Sequence, residues 1–233
     1  MYPGREAECA ALANLLDAPL VQQGAPVSGR YVLDFDDKQR LQLVDNDVDN
    51  SAVLCIDLAK KKPGQGVDPL MRAIGHQTTT VIDCTAGWCT DAAHIAAHGI
   101  SVTAIERHPV VYALVADALR RCTNAAIRAQ LNLVRADSLE WLAQGCHSAE
   151  VIYLDPMYPP KAGTALPKKP LQFLHHLAQR SSEQESALLT IARRCASRRV
   201  VVKRPHHAAP VLPGKSGEIS AKLVRFDLYP PTR

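Results

Sequence analysis

The chain has 233 residues, 47% of them hydrophobic and 21% charged, with a formal net charge of +4. That length holds one full-sized α/β domain plus a small extension, and the apolar share supports a core without disulfides or a structural metal. No run approaches the roughly eighteen apolar residues of a bilayer span, and Arg5, Glu6, Glu8 and Asp17 make the first twenty residues unlike a signal or transit peptide.

In chain order, residues 6–16 read as a short helix, followed by a Pro/Gly-bearing connection (Pro19, Gly24, Pro26, Gly29). Residues 31–35 and 41–44 flank the polar turn 36–40 as a hairpin, and 51–58 read as a third strand. Residues 1–60 are thus expected to form a small α+β extension, with the main domain over 61–233. The link 60–66 is basic and rich in breakers. It reads as a flexible loop, or as one that contacts phosphate or covers a cofactor. Asp68 and Pro69 then suit the N-cap and first position of a helix running to Ile74.

From residue 80 strand and helix alternate: strands at 80–84, 101–105, 131–135 and 150–154, helices at 90–98, 109–121 and 138–144. That beat implies right-handed crossovers and a doubly wound α/β fold of Rossmann type, a mostly parallel sheet with helices on both faces. A polar loop follows to Pro170, then helices near 170–179 and 182–196, a strand at 199–203, a loop at 205–217 and a last strand at 222–228.

Ligands of such sheets sit beyond the carboxyl ends of the strands. There the first strand leads into Asp83-Cys84-Thr85-Ala86-Gly87-Trp88-Cys89-Thr90-Asp91. Small residues in this turn allow close backbone approach, although any tight strand-to-helix turn could look the same. Trp88-Cys89 stand where a dinucleotide site would carry its second glycine. The second strand ends in Glu106, 23 positions after Asp83, suited to accept from ribose hydroxyls or to pair with Arg107. The third leads to Asp137 and Ser138, either an ordinary helix N-cap or a partner for an adenine amine, two compatible roles. Three acids after three consecutive strands, with no Walker lysine, suit an adenosine ligand without phosphates. That favours S-adenosylmethionine over ATP or NAD.

These residues resemble the class I S-adenosylmethionine-dependent methyltransferases, and more closely the RsmJ family of 16S ribosomal RNA guanine-N2 methyltransferases. The likeness covers residues 30–229. It rests on Asp83-Cys84-Thr85-Ala86-Gly87 with Asp91, on Ile105-Glu106-Arg107-His108-Pro109-Val110-Val111, and on Tyr153-Leu154-Asp155-Pro156-Met157-Tyr158-Pro159. Val200-Val201-Val202-Lys203-Arg204-Pro205 and Arg225-Phe226-Asp227-Leu228-Tyr229 extend it. The resemblance implies a seven-stranded sheet, with cofactor contacts at Asp83, Ala86, Gly87, Thr90, Asp91, Glu106, Arg107, Asp137, Ser138 and Asp155. It also implies methylation of a guanosine N2, at position 1516 of 16S RNA, with the RNA or the 30S subunit as partner. One departure stands out: Cys89 occupies the place of a family glycine. A Cβ there disfavours positive φ and reduces clearance for the cofactor's methionine end.

The segment Asp155-Pro156-Met157-Tyr158 has its own chemical logic. An aromatic amine is a poor nucleophile because its lone pair is delocalised into the ring. Acceptors aimed at its N–H groups, the Asp155 carboxylate and the Pro156 carbonyl, would localise that pair and stabilise developing positive charge. Tyr158 could stack on an extruded base. A proline-punctuated turn is the plainer alternative.

Lys161, Lys168, Lys169, Lys203 and Arg204 are the expected phosphate contacts. They fall within residues 156–233, which carry fourteen Lys/Arg against four Asp/Glu, whereas residues 1–60 carry five against ten. Singly, each could be a solvated surface charge. Seven scattered cysteines without a close pair, and His175-His176 and His206-His207 without accompanying acids, point to no metal site and to free thiols in a reducing cytoplasm. Alternatives to the guanine-N2 reaction are an adenine-N6 or protein-glutamine methyltransferase and a non-catalytic RNA-binding factor. Met157, where the first two generally carry proline, leans away from them.

Overall fold

A computed structural model describes residues 5–21, 29–46, 52–59, 68–156 and 181–232. Ten strands and seven helices are seen among them. The N-terminal part holds α1 (Glu6–Leu16) and an antiparallel sheet of β1 (Tyr31–Phe35), β2 (Leu41–Asp45) and β3 (Ala52–Cys55). Then come α2 (Pro69–Ile74), β4 (Thr80–Asp83), α3 (Thr90–Ala97), β5 (Ser101–Glu106), α4 (Pro109–Arg121), α5 (Ala125–Gln130) and β6 (Leu131–Arg135). The chain continues through α6 (Ser138–Ala143), β7 (Ala149–Leu154), α7 (Ser182–Cys195), β8 (Ala196–Pro205), β9 (Gly217–Ser220) and β10 (Val224–Tyr229).

The main sheet has seven strands in the order β6-β5-β4-β7-β8-β10-β9. The pairs among β6, β5, β4, β7 and β8 are parallel, and β10 runs antiparallel to both its neighbours. After β4 the chain builds outward through β5 and β6, then crosses back to lay β7 on the other side of β4. The carboxyl ends of β4 and β7 therefore flank the switch point where such sheets bind ligands. Ile82 stands opposite Ile152, and Asp83 opposite Tyr153.

Apolar strands are needed here because both faces are covered. Val81, Val102, Ala104, Val151, Tyr153 and Val201 face a layer containing α2–α5. Ile82, Ile105, Ile152, Leu154, Val200 and Val202 face α6 and α7. Phe35, Leu41, Leu43 and Leu54 of the small sheet join the first layer's core. The buried Asp117 carboxylate of α4 fastens them, accepting from the Leu41 amide at 3.1 Å and from Arg120 and Arg121 at 2.7 and 2.6 Å.

Helix starts follow local chemistry. The Asp68 carboxylate accepts from the Leu70 and Met71 amides, Pro109 opens α4, and Ser181 with Gln184 forms a reciprocal capping box at α7. Two elements had no sequence expectation. Helix α5 is a short segment, started where Asn124 accepts from the Ala126 and Ile127 amides. Strand β9 has four residues, too few for an alternation to be read. Strand β8, expected over 199–203, spans ten residues because its partners β7 and β10 extend the ladder at both ends. The helix expected near 170–179 and the link 60–66 lie outside the described residues.

Candidate active site

Four strand ends build one edge. At β4 the Asp83 side chain is 2% exposed and accepts from the Thr85 amide at 3.0 Å, shaping the turn. Gly87 has φ 49° and Cys89 φ 54°, so the positive φ that favours glycine is kept at the cysteine. The Cys89 side chain is buried in the helix-side core, away from solvent. Holding a non-glycine residue there costs on the order of 1–2 kcal/mol.

Glu106 at the end of β5 is 5% exposed. One oxygen accepts from the Gly87 amide at 2.9 Å, the other from the His108 amide at 2.6 Å. It joins the turns after β4 and β5, and of the roughly four acceptor sites of a carboxylate the Gly87, His108 and Arg107 amides leave about one. Burial raises its pKa, against the opposing pull of the His108 and Gly87 amides and of Arg107. Asp137 caps α6 through the Leu139 amide at 2.8 Å and lies 3.7 Å from Arg107. The Ser138 hydroxyl donates to the Cys84 carbonyl from a buried position, tying β6's turn to β4's.

Between the ends of β5 and β6 opens a cavity of ≈ 480 Å³ lined by Arg107, His108, Pro109, Arg135, Ala136 and Asp137. The buried Nδ1 of His108 has no hydrogen-bond partner among the described residues. The donor set fits S-adenosylmethionine: an open cavity, a ring nitrogen still to be satisfied, and carboxylates for a ligand of net positive charge. Ala86 and Asp91 continue the edge from buried and half-buried positions, and Thr90 is exposed at the start of α3.

At the switch point β7 delivers Asp155 beside the β4 turn. Its amide donates to the Thr85 hydroxyl at 2.6 Å, and Pro156 next to it is buried. The Lys203 ammonium from β8 donates to Asp155 at 2.8 Å and to Asp91 at 2.7 Å, and the Tyr153 hydroxyl donates to the same Asp91 oxygen at 2.8 Å. Three carboxylates crowd around one ammonium here. Burial, with repulsion from Asp91 and Asp155, pushes Asp83 up to about 8, so it is largely protonated near neutrality. Burial also raises Asp155, with Lys203 opposing and Asp91 adding to the shift. Lys203 is held above its ordinary value by Asp155 and Asp91, against desolvation.

The structure separates two residues that the sequence reading grouped. Lys203 and Arg204 were expected to meet RNA phosphate together, but neighbouring strand residues face opposite ways. Lys203 turns to α3 and is engaged by Asp91 and Asp155. Arg204 turns to α7, where its side chain is 8% exposed, and its guanidinium donates to the Ala209 carbonyl and lies 3.8 Å from Glu185. Tyr158, Lys161, Lys168 and Lys169 lie outside the described residues. Conversely, the sequence reading gave no role of their own to Thr85, His108 or Tyr153; a tyrosine hydroxyl in an otherwise apolar strand was the available signal. Asp68, His94 and His98 also gather one ligand-type atom each within 4.8 Å, on residues too far apart in the chain to be read as a set. Asp68 there is already engaged as the α2 cap and as His94's hydrogen-bond partner.

Residues 27–231 match the model of the family described as "Putative SAM-dependent methyltransferase". The protein named ribosomal RNA small subunit methyltransferase J in Alkalilimnicola ehrlichii is 37% identical, the match covering 97% of this chain and 92% of that protein. Its namesake in Nitrosococcus oceani is 38% identical, over 82% of this chain and 81% of the relative. Among solved structures, a SAM-dependent methyltransferase from Neisseria gonorrhoeae superposes with a TM-score of 0.70 at 27% identity, covering 95% of this chain and 92% of that one.

Proposed function

The chain belongs to the ribosomal RNA small subunit methyltransferase J family of SAM-dependent methyltransferases, and from that membership we propose that it methylates the exocyclic N2 of a guanosine in small-subunit ribosomal RNA. The resemblance points to guanosine-1516. The observation that carries the amine chemistry is Asp155 at the switch point, its backbone held by Thr85 and its carboxylate by Lys203.

Asp83, Ala86, Gly87, Thr90, Asp91, Glu106, Arg107, Asp137 and Ser138 are the residues assigned to the cofactor, with Glu106 and the His108–Asp137 cavity taking its adenosyl part. When bound, S-adenosylmethionine supplies an electrophilic methyl whose bond to sulfur breaks, leaving its electron pair on sulfur, as the amine lone pair forms the new bond. The Asp155 carboxylate and the Pro156 carbonyl accept from the amine N–H groups and favour a pyramidal nitrogen. Asp155 then takes the proton that the nitrogen sheds and passes it to water. Tyr158 is assigned to stack on the extruded base, and Lys161, Lys168 and Lys169 to the phosphates. Such an enzyme works in the cytoplasm, on the RNA or the 30S particle. Among the described residues no helix is long and apolar enough to cross a membrane.

The test is transfer of labelled methyl to 16S RNA and to 30S particles, followed by nucleoside mapping. N2-methylguanosine, lost in Asp155→Ala, is expected. Label in adenine or protein, or equal activity in the variant, would overturn the proposal.

A further inference from the structure

Lys203, on the strand next to that of Asp155, holds the Asp155 carboxylate without touching the reacting atoms. We propose that Lys203 is a positioning residue for methyl transfer: its ammonium, clamped between Asp91 and Asp155, aims the Asp155 carboxylate at the target amine. This rests on reading Asp155 as the amine acceptor.

The argument is geometric. Asp155 follows the last residue of β7, where the sheet no longer holds its side chain. The described residues fix it at two points: the amide donates to Thr85 at 2.6 Å, and a carboxylate oxygen accepts from Lys203 at 2.8 Å. Lys203 is itself anchored by Asp91 at 2.7 Å, and Asp91 by the Tyr153 hydroxyl at 2.8 Å. Tyr153 is fully buried in the core, so the chain of contacts ends on a rigid support. A carboxylate held through one oxygen leaves the other for the amine. The turn after β4 thus holds the Asp155 backbone, and β8 holds its carboxylate with α3 and β7 behind, which is how a reacting group is kept near productive geometry.

Charge points the same way. The groups facing Asp155 among the described residues are Asp83 from β4, Asp91 from α3, Tyr153 from β7 and Lys203 from β8. Lys203 is the one cation of that set. Without it Asp155 would stand with two other acids and hold its proton to higher pH, and a protonated carboxyl loses acceptor capacity toward the amine. Lys203 is also poorly suited to an RNA phosphate, since its side chain is 25% exposed and already donates to two carboxylates.

The experiment compares Lys203→Met, Lys203→Arg and Asp155→Ala with the wild type. It reads kcat and KM for RNA across pH, melting temperature, and the salt dependence of RNA binding by the cofactor-free protein. Lys203→Met should lower kcat by about a hundredfold, the order expected when a reacting group is misplaced by about 1 Å. The acid limb of its kcat profile should move to higher pH. Lys203→Arg should recover most of the rate, and RNA affinity and salt slope should stay unchanged in both.

Normal kcat in Lys203→Met overturns the inference. So does a loss residing in RNA affinity with a shallower salt slope, which would return Lys203 to phosphate contact. Equal losses in the Met and Arg variants, tracking a lower melting temperature, would reduce it to a structural lysine. If Asp155→Ala is inactive while Lys203→Met is normal, only this inference falls. Full activity in Asp155→Ala removes the reading beneath it.

Discussion

The Gly87 amide donates to the Glu106 carboxylate at 2.9 Å, joining the turn after β4 to the end of β5. The other Glu106 oxygen takes the His108 amide, so one buried acid sets the spacing between the turn after β4 and the loop after β5, whose Arg107, His108 and Pro109 line the cavity. Glu106→Ala leaves both amides without that acceptor. Each such loss costs about 1–3 kcal/mol. The variant should melt earlier and bind S-adenosylmethionine more weakly, by about tenfold or more for the lost charged acceptor. Glu106→Gln, which keeps one good acceptor oxygen, should fall between. Calorimetric titration with matched melting curves checks the order.

Cys89 offers a second test. Its φ of 54° is tolerated with an unbranched side chain and opposes a β-branched one. Cys89→Val should be destabilised by about 2 kcal/mol or more, through backbone strain and overpacking. Cys89→Gly relieves the strain but empties a fully buried site, so it should stay within about 1 kcal/mol of wild type. Urea unfolding separates the two. The Cys89 thiol, whose pKa is driven well up by burial with Asp83 and Glu106 nearby, should resist an alkylating reagent that labels the exposed Cys146.

Asp83 makes stability depend on pH. Its pKa rises from an ordinary 3.8 to about 8 on folding. Below 3.8 both states are protonated and the group contributes no difference. Between these values the unfolded chain has released its proton and the folded one has not, so stability falls as pH rises, levelling off above 8. Asp83→Asn keeps an acceptor for the Thr85 amide and cannot ionise. It should flatten the fall in melting temperature between pH 4 and 8 and be the more stable protein at pH 8, by a few kcal/mol at most on an order-of-magnitude reckoning. A wild-type curve with no steeper fall than the variant's would contradict the assignment.

Arg204 should behave as part of the core. Arg204→Ala removes the donor to the Ala209 carbonyl and the guanidinium that lies 3.8 Å from Glu185. A loss of about 1–3 kcal/mol is expected. The slope of log affinity against log salt for RNA should not change, whereas removing a cation that neutralises a phosphate would lower it by about 0.9. A shallower slope at unchanged stability would restore the sequence expectation.

Much of this molecule was legible in its sequence. The apolar runs before Asp83, Glu106 and Asp155 had to be buried strands. Regular alternation with helices forces parallel crossovers, which carry every strand's carboxyl end to one edge. Hence the gathering of those acids followed from order along the chain alone. The short helix α5 and strand β9 escaped because six and four residues are too few to show a period.

Side-chain direction and partnership were decided only by the tertiary structure. Lys203 and Arg204 are adjacent basic residues, and a period of two says only that they part company. Which one meets Asp91 and Asp155, and which goes beneath α7, depends on the strand's place between β7 and β10. The same holds for Asp83, whose proton is held by burial and by acids brought from distant parts of the chain. Local sequence determines secondary structure and the edge at which it ends. Charge state and contact are properties of neighbours, and those exist only after the chain has folded.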